Sequence, residues 1–373
     1  MTNPPSASKP RASLRPVLAT AALITAGLLA GYWVGQLLGA AASERRTTGS
    51  LLGGLLGLPV VLGLTLLTHE LGHVLGGCLV GFRFLLLIVG PLKVTRDARG
   101  LRFGLNRNAA LAGGLAACLP TDPHHLNRRM LALVAGGPLA SLALGAAGLW
   151  LHYLVAGTGP WDVLTMALGA GSLIIAAATL IPLTTAGYLT DGAQLLSLLR
   201  NDAAARQRAL ILALQAASIA GTRPRDWDAQ LLSATLAVEG QPGFRGAAEI
   251  MAYYAALDGG AVETAGEHLA RALALGPKLP KGFVEAVYLE AAYFEATHRQ
   301  AAAVARAYLD RAGGSLAEGH SRLRAEAAVL WAEGEHRAAR AAAAQAVRLA
   351  ARSYDRGTAA AEAAWLERDF GPL

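Results

Sequence analysis

The chain is short of charge, of cysteine and of aromatic residues. Charged side chains make up 16% of its 373 residues, aromatic ones 6%, and there are two cysteines. Two cysteines exclude a disulfide-stapled module. Cys78 and Cys118 read as small apolar packing residues, although Cys78 follows a histidine pair closely enough to neighbour a metal. The formal net charge is +7. No aromatic-interleaved basic patch and no nucleic-acid motif accompanies it, so no nucleic-acid partner is expected. The shortage of charge is also local: residues 51–68 carry none.

Apolar residues fill the gap. Hydrophobic types reach 54%, and the mean hydropathy is +0.38. Those values belong to a polytopic membrane protein or to a membrane part joined to a soluble one. All long apolar runs lie before about residue 200; beyond it the chain is rich in Ala, Arg and Glu and reads as soluble helix. About four transmembrane helices are expected, near 17–42, 51–80, 130–155 and 163–182. Each is long enough to cross roughly 30 Å of hydrocarbon at about 1.5 Å per residue. For the first, Ala40-Ala41-Ala42 resembles a signal-peptide cleavage site. The apolar stretch is longer than a usual signal core, which favours a retained span.

Loop charge sets the orientation. The segment 81–129 holds Arg83, Lys93, Arg96, Arg99, Arg102, Arg107, Arg128 and Arg129 against only Asp97 and Asp122, while 156–162 has no base. The positive-inside rule then places the amino terminus, the 81–129 loop and the carboxyl region in the cytoplasm of a multi-pass protein of the cell membrane. The expected organisation is a tail at 1–16, a membrane core at 17–200, linker helices at 201–240 and helical repeats at 241–373.

Within the second span stands His69-Glu70-Leu71-Gly72-His73. An ionisable side chain at the bilayer centre costs roughly 2.5–3.5 kcal/mol on insertion scales, so it marks a functional site by default. On a helix, positions i and i+4 share a face. His69 and His73 can therefore grip one zinc ion, with Glu70 beside them as general base for hydrolysis. A catalytic zinc needs a third protein ligand and an open position. Asp191, in Thr190-Asp191-Gly192, is the candidate, on the same side of the membrane as the histidines. Asp is also a preferred helix cap, the competing role at this position. His124 and His125 read as surface residues of the basic loop.

These residues together resemble the site-2 protease family of intramembrane zinc metalloproteases. Three stretches over roughly 50–200 carry the resemblance: His69-Glu70-Leu71-Gly72-His73, Ala135-Gly136-Gly137-Pro138-Leu139-Ala140-Ser141, and Leu180-Ile181-Pro182 with Asp191-Gly192. The resemblance implies a zinc endopeptidase that cuts membrane-spanning segments or membrane-tethered peptides within the bilayer. Where the family often has asparagines that support the substrate or transition state, this chain has Thr179 and Ser141. A hydroxyl lacks the donor–acceptor pair of an amide.

Two further expectations complete the reading. Residues 82–94 and 101–105 read as strands joined by a turn at 96–100. They would form a small β element after the motif helix, serving for strand addition by substrate or simply sealing the site. From 241 onward, turns at 258–260, 296–299 and 333–336 recur about every 35–40 residues, near the tetratricopeptide period. The region looks like a degenerate tetratricopeptide array and would bind a cytoplasmic protein partner; a generic Ala-rich helical bundle is the plainer alternative. The fold class expected is thus an all-α membrane protein with a small β element and a soluble α-helical repeat domain. Rival functions are a catalytically degraded membrane scaffold whose repeats bind a partner, and a metal transporter. The intact motif speaks against the first. The lack of further polar residues along the spans speaks against the second.

Overall fold

The computed structural model describes residues 48–97, 100–106, 113–156, 159–185, 188–313 and 317–371. The expected tail at 1–16 and first span at 17–42 lie outside the described residues. Among the described residues, three helices are long and apolar enough to cross a membrane, at Leu56–Leu79, Leu126–Val155 and Pro160–Leu180. The first is the greater part of α1 (Thr48–Leu79); the others are α2 (Leu126–Val155) and α3 (Pro160–Leu180). Large apolar side chains, among them Leu62, Leu75, Leu142, Trp150 and Leu151, face outward from them. Helices apolar on all sides suit a hydrocarbon surround rather than one buried stripe. Small residues bring their backbones together. A Cβ on Gly72 would strike the Gly136 carbonyl oxygen, and one on Gly136 the Gly72 carbonyl oxygen. Lipid is as apolar as leucine, so close packing of this kind holds such helices together.

The β element is larger than expected. The stretch 82–94 is two strands, β1 (Phe82–Val89) and β2 (Leu92–Asp97), not one. Gly90, at φ 54°, and Pro91 break it into a hairpin. Glycine accepts the left-handed φ, and proline has no N–H for a ladder. Strand β3 (Gly100–Leu105) pairs with β2 from Asp97 opposite Gly100 to Leu92 opposite Leu105. A fourth strand, β4 (Leu115–Pro120), pairs antiparallel with β1. Its Leu-Ala-Ala-Cys-Leu-Pro run does not alternate, so it gives no period-two signal. The order β3-β2-β1-β4 leaves β4 at an edge. Arg129 of α2 fastens the entry to the sheet. Its Nε donates to the Val80 carbonyl at 2.7 Å and its Nη2 to the Gly81 carbonyl at 2.9 Å.

After α3 a short hairpin, β5 (Thr184–Thr185) and β6 (Tyr188–Leu189), leads into α4 (Asp191–Arg200). The segment 201–240, expected as linker, is α5 (Ala203–Ala220) and α6 (Ala229–Ala237). It is packed at both ends. Ala205 and Leu212 share a buried cluster with Phe82 of β1 and Leu126, Met130 and Val134 of α2. Ser218 donates to Asp355, which caps the last helix.

Three antiparallel helix pairs follow: α7 (Pro242–Asp258) with α8 (Val262–Ala274), α9 (Lys281–Thr297) with α10 (Ala302–Arg311), and α11 (Gly319–Ala332) with α12 (His336–Ala350). A single helix, α13 (Arg356–Phe370), closes the series. First helices begin about 38 residues apart, a period typical of helical-pair repeats. Tyr253, Leu257, Leu289, Tyr293, Val329 and Trp365 form one core through the array. Fully buried Arg324 pins α13 to it. Its Nη2 lies 2.7 Å from Glu290, its Nε 3.1 Å from Glu362, and its guanidinium 4.2 Å from the Tyr293 ring centroid.

Candidate metal centre

The expected ligands converge. His69 and His73 stand one turn apart on α1, with their imidazole Nε2 atoms 3.2 Å apart. Asp191 brings Oδ2 to 3.1 Å from His69 Nε2 and Oδ1 to 3.4 Å from His73 Nε2. Among the described residues these three form a buried group able to hold a metal ion. Ligands about 2.0–2.1 Å from a tetrahedral ion lie about 3.3–3.4 Å from one another. The three separations fall close to that edge length.

Each histidine is oriented from behind. His73 Nδ1 lies 3.0 Å from the Leu133 carbonyl oxygen, which can only accept, so Nδ1 carries the proton. Its Nε2 in the neutral ring is then a bare lone pair. That lone pair faces the other imidazole and a carboxylate. Such a convergence of electron-rich atoms fits a cation at their centre. His69 Nδ1 meets Ser141 Oγ at 2.9 Å. A partner of this kind fixes the ring and raises its basicity as a ligand. Ser141 is fully buried on α2. Its hydroxyl is turned to the His69 ring.

Asp191 is not the helix cap. Thr190 takes that position, and its Oγ1 accepts the Ala193 N–H at 3.4 Å. Asp191 is the first helical residue, its carboxylate free to turn to the histidines. Burial pushes that carboxyl up, but the bonds with His69 and His73 outweigh burial and hold it at about 2. A Cβ on Gly192 would strike the Leu180 carbonyl oxygen. Gly192 thus lets the ligand helix close on the end of α3.

Glu70 projects from α1 toward the sheet and is buried. The Ala116 backbone N–H of β4 donates to it. Gly114, at φ 119°, presses on the same carboxylate: a Cβ there would overlap Oε1 and lie 3.0 Å from Cδ. The approach of β4 to Glu70 had no signal in the sequence beyond the Gly113-Gly114 pair. Thr179 lies apart in its bonding, its hydroxyl donating to the Ala176 carbonyl of its own helix at 3.3 Å. His124 is exposed and bonded to Asp122. Neither free cysteine joins the cluster. Burial, and Cys78 beside it, pushes the Cys118 thiol up to about 12.

The chain therefore carries a buried His–His–Asp group, open to a metal, between apolar helices. Comparison with protein-family models, curated proteins and solved structures finds no match.

Proposed function

We propose that the protein is a zinc-dependent intramembrane endopeptidase of the site-2 protease type. The observation that carries this reading is the position of Glu70 beside the convergent His69, His73 and Asp191 atoms at the end of an apolar helix. His69 Nε2, His73 Nε2 and an Asp191 oxygen would hold the zinc. Zinc, when bound, supplies electrophilic activation of water and of a peptide carbonyl. Glu70 takes the proton from the attacking water on one carboxylate oxygen and later gives it to the leaving amine. Ser141 and the Leu133 carbonyl keep the imidazoles in the orientation that frees Nε2 for the metal.

The edge position of β4 supports substrate entry by strand addition. A membrane-spanning segment must unwind to expose a peptide bond, and an unpaired strand offers it backbone partners. Gly114 and Ala116 bring that edge against Glu70, so a strand added there passes the base. The outward residues Leu101, Phe103 and Leu105 alternate along β3 and give the other edge an apolar face suited to lipid. The charge of the loops supports a multi-pass cell-membrane protein with the helix-pair array in the cytoplasm. There the array would receive a substrate's cytoplasmic flank or a protein partner. Removal of 240–373 with no change in substrate choice would rule that role out.

The central test is Glu70→Gln in the purified, membrane-reconstituted protein. Bound zinc should remain near one per chain while cleavage of a reporter span is lost. Equal cleavage by wild type and variant refutes the mechanism. Zinc uptake into sealed vesicles that survives the substitution would favour transport instead.

A further inference from the structure

The turn that leads into Asp191 is held from a direction the metal site does not explain. On α4, three residues after Asp191, Gln194 uses both ends of its amide. Its Nε2 donates to the Leu189 carbonyl at 3.1 Å, and its Oε1 accepts from Arg208 Nη1 at 3.1 Å. Leu189 ends β6, two residues before the metal ligand. Arg208 lies on α5, which packs on α2 through Ala205 and Leu212 and on α7 through Ile211 and Leu214. Its guanidinium stacks on Phe244 of α7, 4.9 Å from the ring centroid.

Arg208 is an unusual residue to bury. It is 7% exposed, and its guanidinium donates to the neutral Gln194 amide, with the Asp202 carboxylate bearing on it electrostatically. Burying a guanidinium against a neutral hydrogen-bond partner carries a desolvation penalty. Burial pushes it down to about 10, with the Asp202 carboxylate working against that. A purely stabilising core would do better with an apolar side chain here, so the charge has another use.

The use follows from hydrogen-bond chemistry. Guanidinium only donates. A glutamine amide facing it must present its oxygen, and its NH2 is then forced toward the Leu189 carbonyl. Arg208 therefore dictates which way Gln194 points. Gln194 in turn anchors the strand that delivers Thr190 and Asp191. We infer that Gln194 and Arg208 are positioning residues for the metal ligand Asp191, and that through Phe244 the first helix of the array bears on the metal centre. This rests on the reading of His69, His73 and Asp191 as the metal site.

Gln194→Glu separates positioning from plain stability. Glutamate keeps the partner of Arg208, now as an ion pair, so the fold is retained. It cannot donate to Leu189, and its carboxylate repels that carbonyl. The measurement is the affinity of the full chain in detergent for Zn2+ and for Co2+, the latter by its visible absorption, beside thermal melting. The expected result is an affinity lowered about 10–100-fold, the range seen when outer partners of metal ligands are lost, with melting unchanged or raised. Arg208→Met, which keeps the buried volume but removes the donor, should lower affinity in the same sense. Wild-type affinity in Gln194→Glu overturns the inference while leaving the metal site intact. Failure of the wild-type chain to bind either ion overturns the metal reading itself, and this inference with it.

Discussion

Gly114→Ala probes the contact between the sheet and the proposed base. A Cβ at this position would overlap Glu70 Oε1 and lie 3.0 Å from Cδ and 3.2 Å from Cγ. Carbon atoms settle at about 3.5–4.0 Å, so the carboxylate must retreat by roughly 1 Å. The backbone adds to this, because φ is 119°, a region that L-residues rarely adopt; holding alanine there costs on the order of 1–3 kcal/mol. A misplacement of about 1 Å in a reacting group lowers rate about 100-fold, equivalent to about 2.7 kcal/mol of barrier. The metal should be spared, because the atoms nearest such a Cβ belong to Glu70 and not to His69, His73 or Asp191. Gly114→Ala is therefore expected to cleave a reporter span about 100-fold more slowly with its zinc content unchanged. Gly113→Ala is the control, since a Cβ there meets nothing within 4 Å. Wild-type turnover by zinc-loaded Gly114→Ala would refute the reasoning, as would equal damage from Gly113→Ala.

Three other substitutions test neighbouring parts. In Gly137→Ala the new methyl would occupy the space of the His73 imidazole; zinc measured on the purified chain should be lost, unlike in Glu70→Gln. Ser141→Ala removes the partner of His69 Nδ1 and should weaken zinc about 10–100-fold, read by competition with a chelating dye. Asp355→Asn concerns the joint between α5 and α13. Burial pushes the Asp355 carboxyl up despite hydrogen bonds from Ser218 and Thr358. Its folded pKa lies above the unfolded value, so its charge opposes folding at neutral pH, and stability is regained as pH falls through the folded pKa toward the unfolded one. Asparagine keeps an acceptor for the Thr358 N–H. The variant should melt higher than wild type at pH 7, with the gap closing toward pH 4; a gap constant across that range would refute the assignment.

What the sequence disclosed of this molecule followed from short-range rules. The i, i+4 spacing of His69 and His73 is a property of one helix, and the apolar lengths of α1, α2 and α3 are a matter of counting residues. Turns at Asp258-Gly259-Gly260 and Glu333-Gly334-Glu335 announce themselves by glycine. The rest depends on contacts far apart in the chain. Strand β4 has no alternation to betray it, and its meeting with Glu70 spans the whole sheet. Ser141 lies 72 residues from its partner His69, so a hydroxyl in an apolar helix could be placed equally well toward substrate or toward a ligand. Arg208 looks like any arginine on an Ala-rich helix, because nothing local says that Phe244 covers it. The cap at α4 was ambiguous for a different reason: Thr190 and Asp191 both cap well, and only the demand of two imidazoles decides between them.

The candidate metal centre and the helix packing are one construction. Gly72 separates the two halves of the motif, and its meeting with Gly136 brings the backbones of α1 and α2 together next to the site. One residue along, Gly137 makes room for the His73 ring; a turn further, Ser141 receives His69. A larger residue at any of these places would spread the helices and remove a ligand or its support at once. In an aqueous core such a fault is resisted by the hydrophobic effect, which keeps pressing the helices together. Between helices in lipid that pressure is absent. Fixing the ligands in place therefore depends on backbone contact at glycine and on charge or hydrogen-bond anchors at the helix ends. Arg129 at the start of α2 and Gln194 with Arg208 behind α4 are anchors of that kind. On this argument weaker metal binding should accompany damage to either anchor, even though neither belongs to the His69, His73 and Asp191 group.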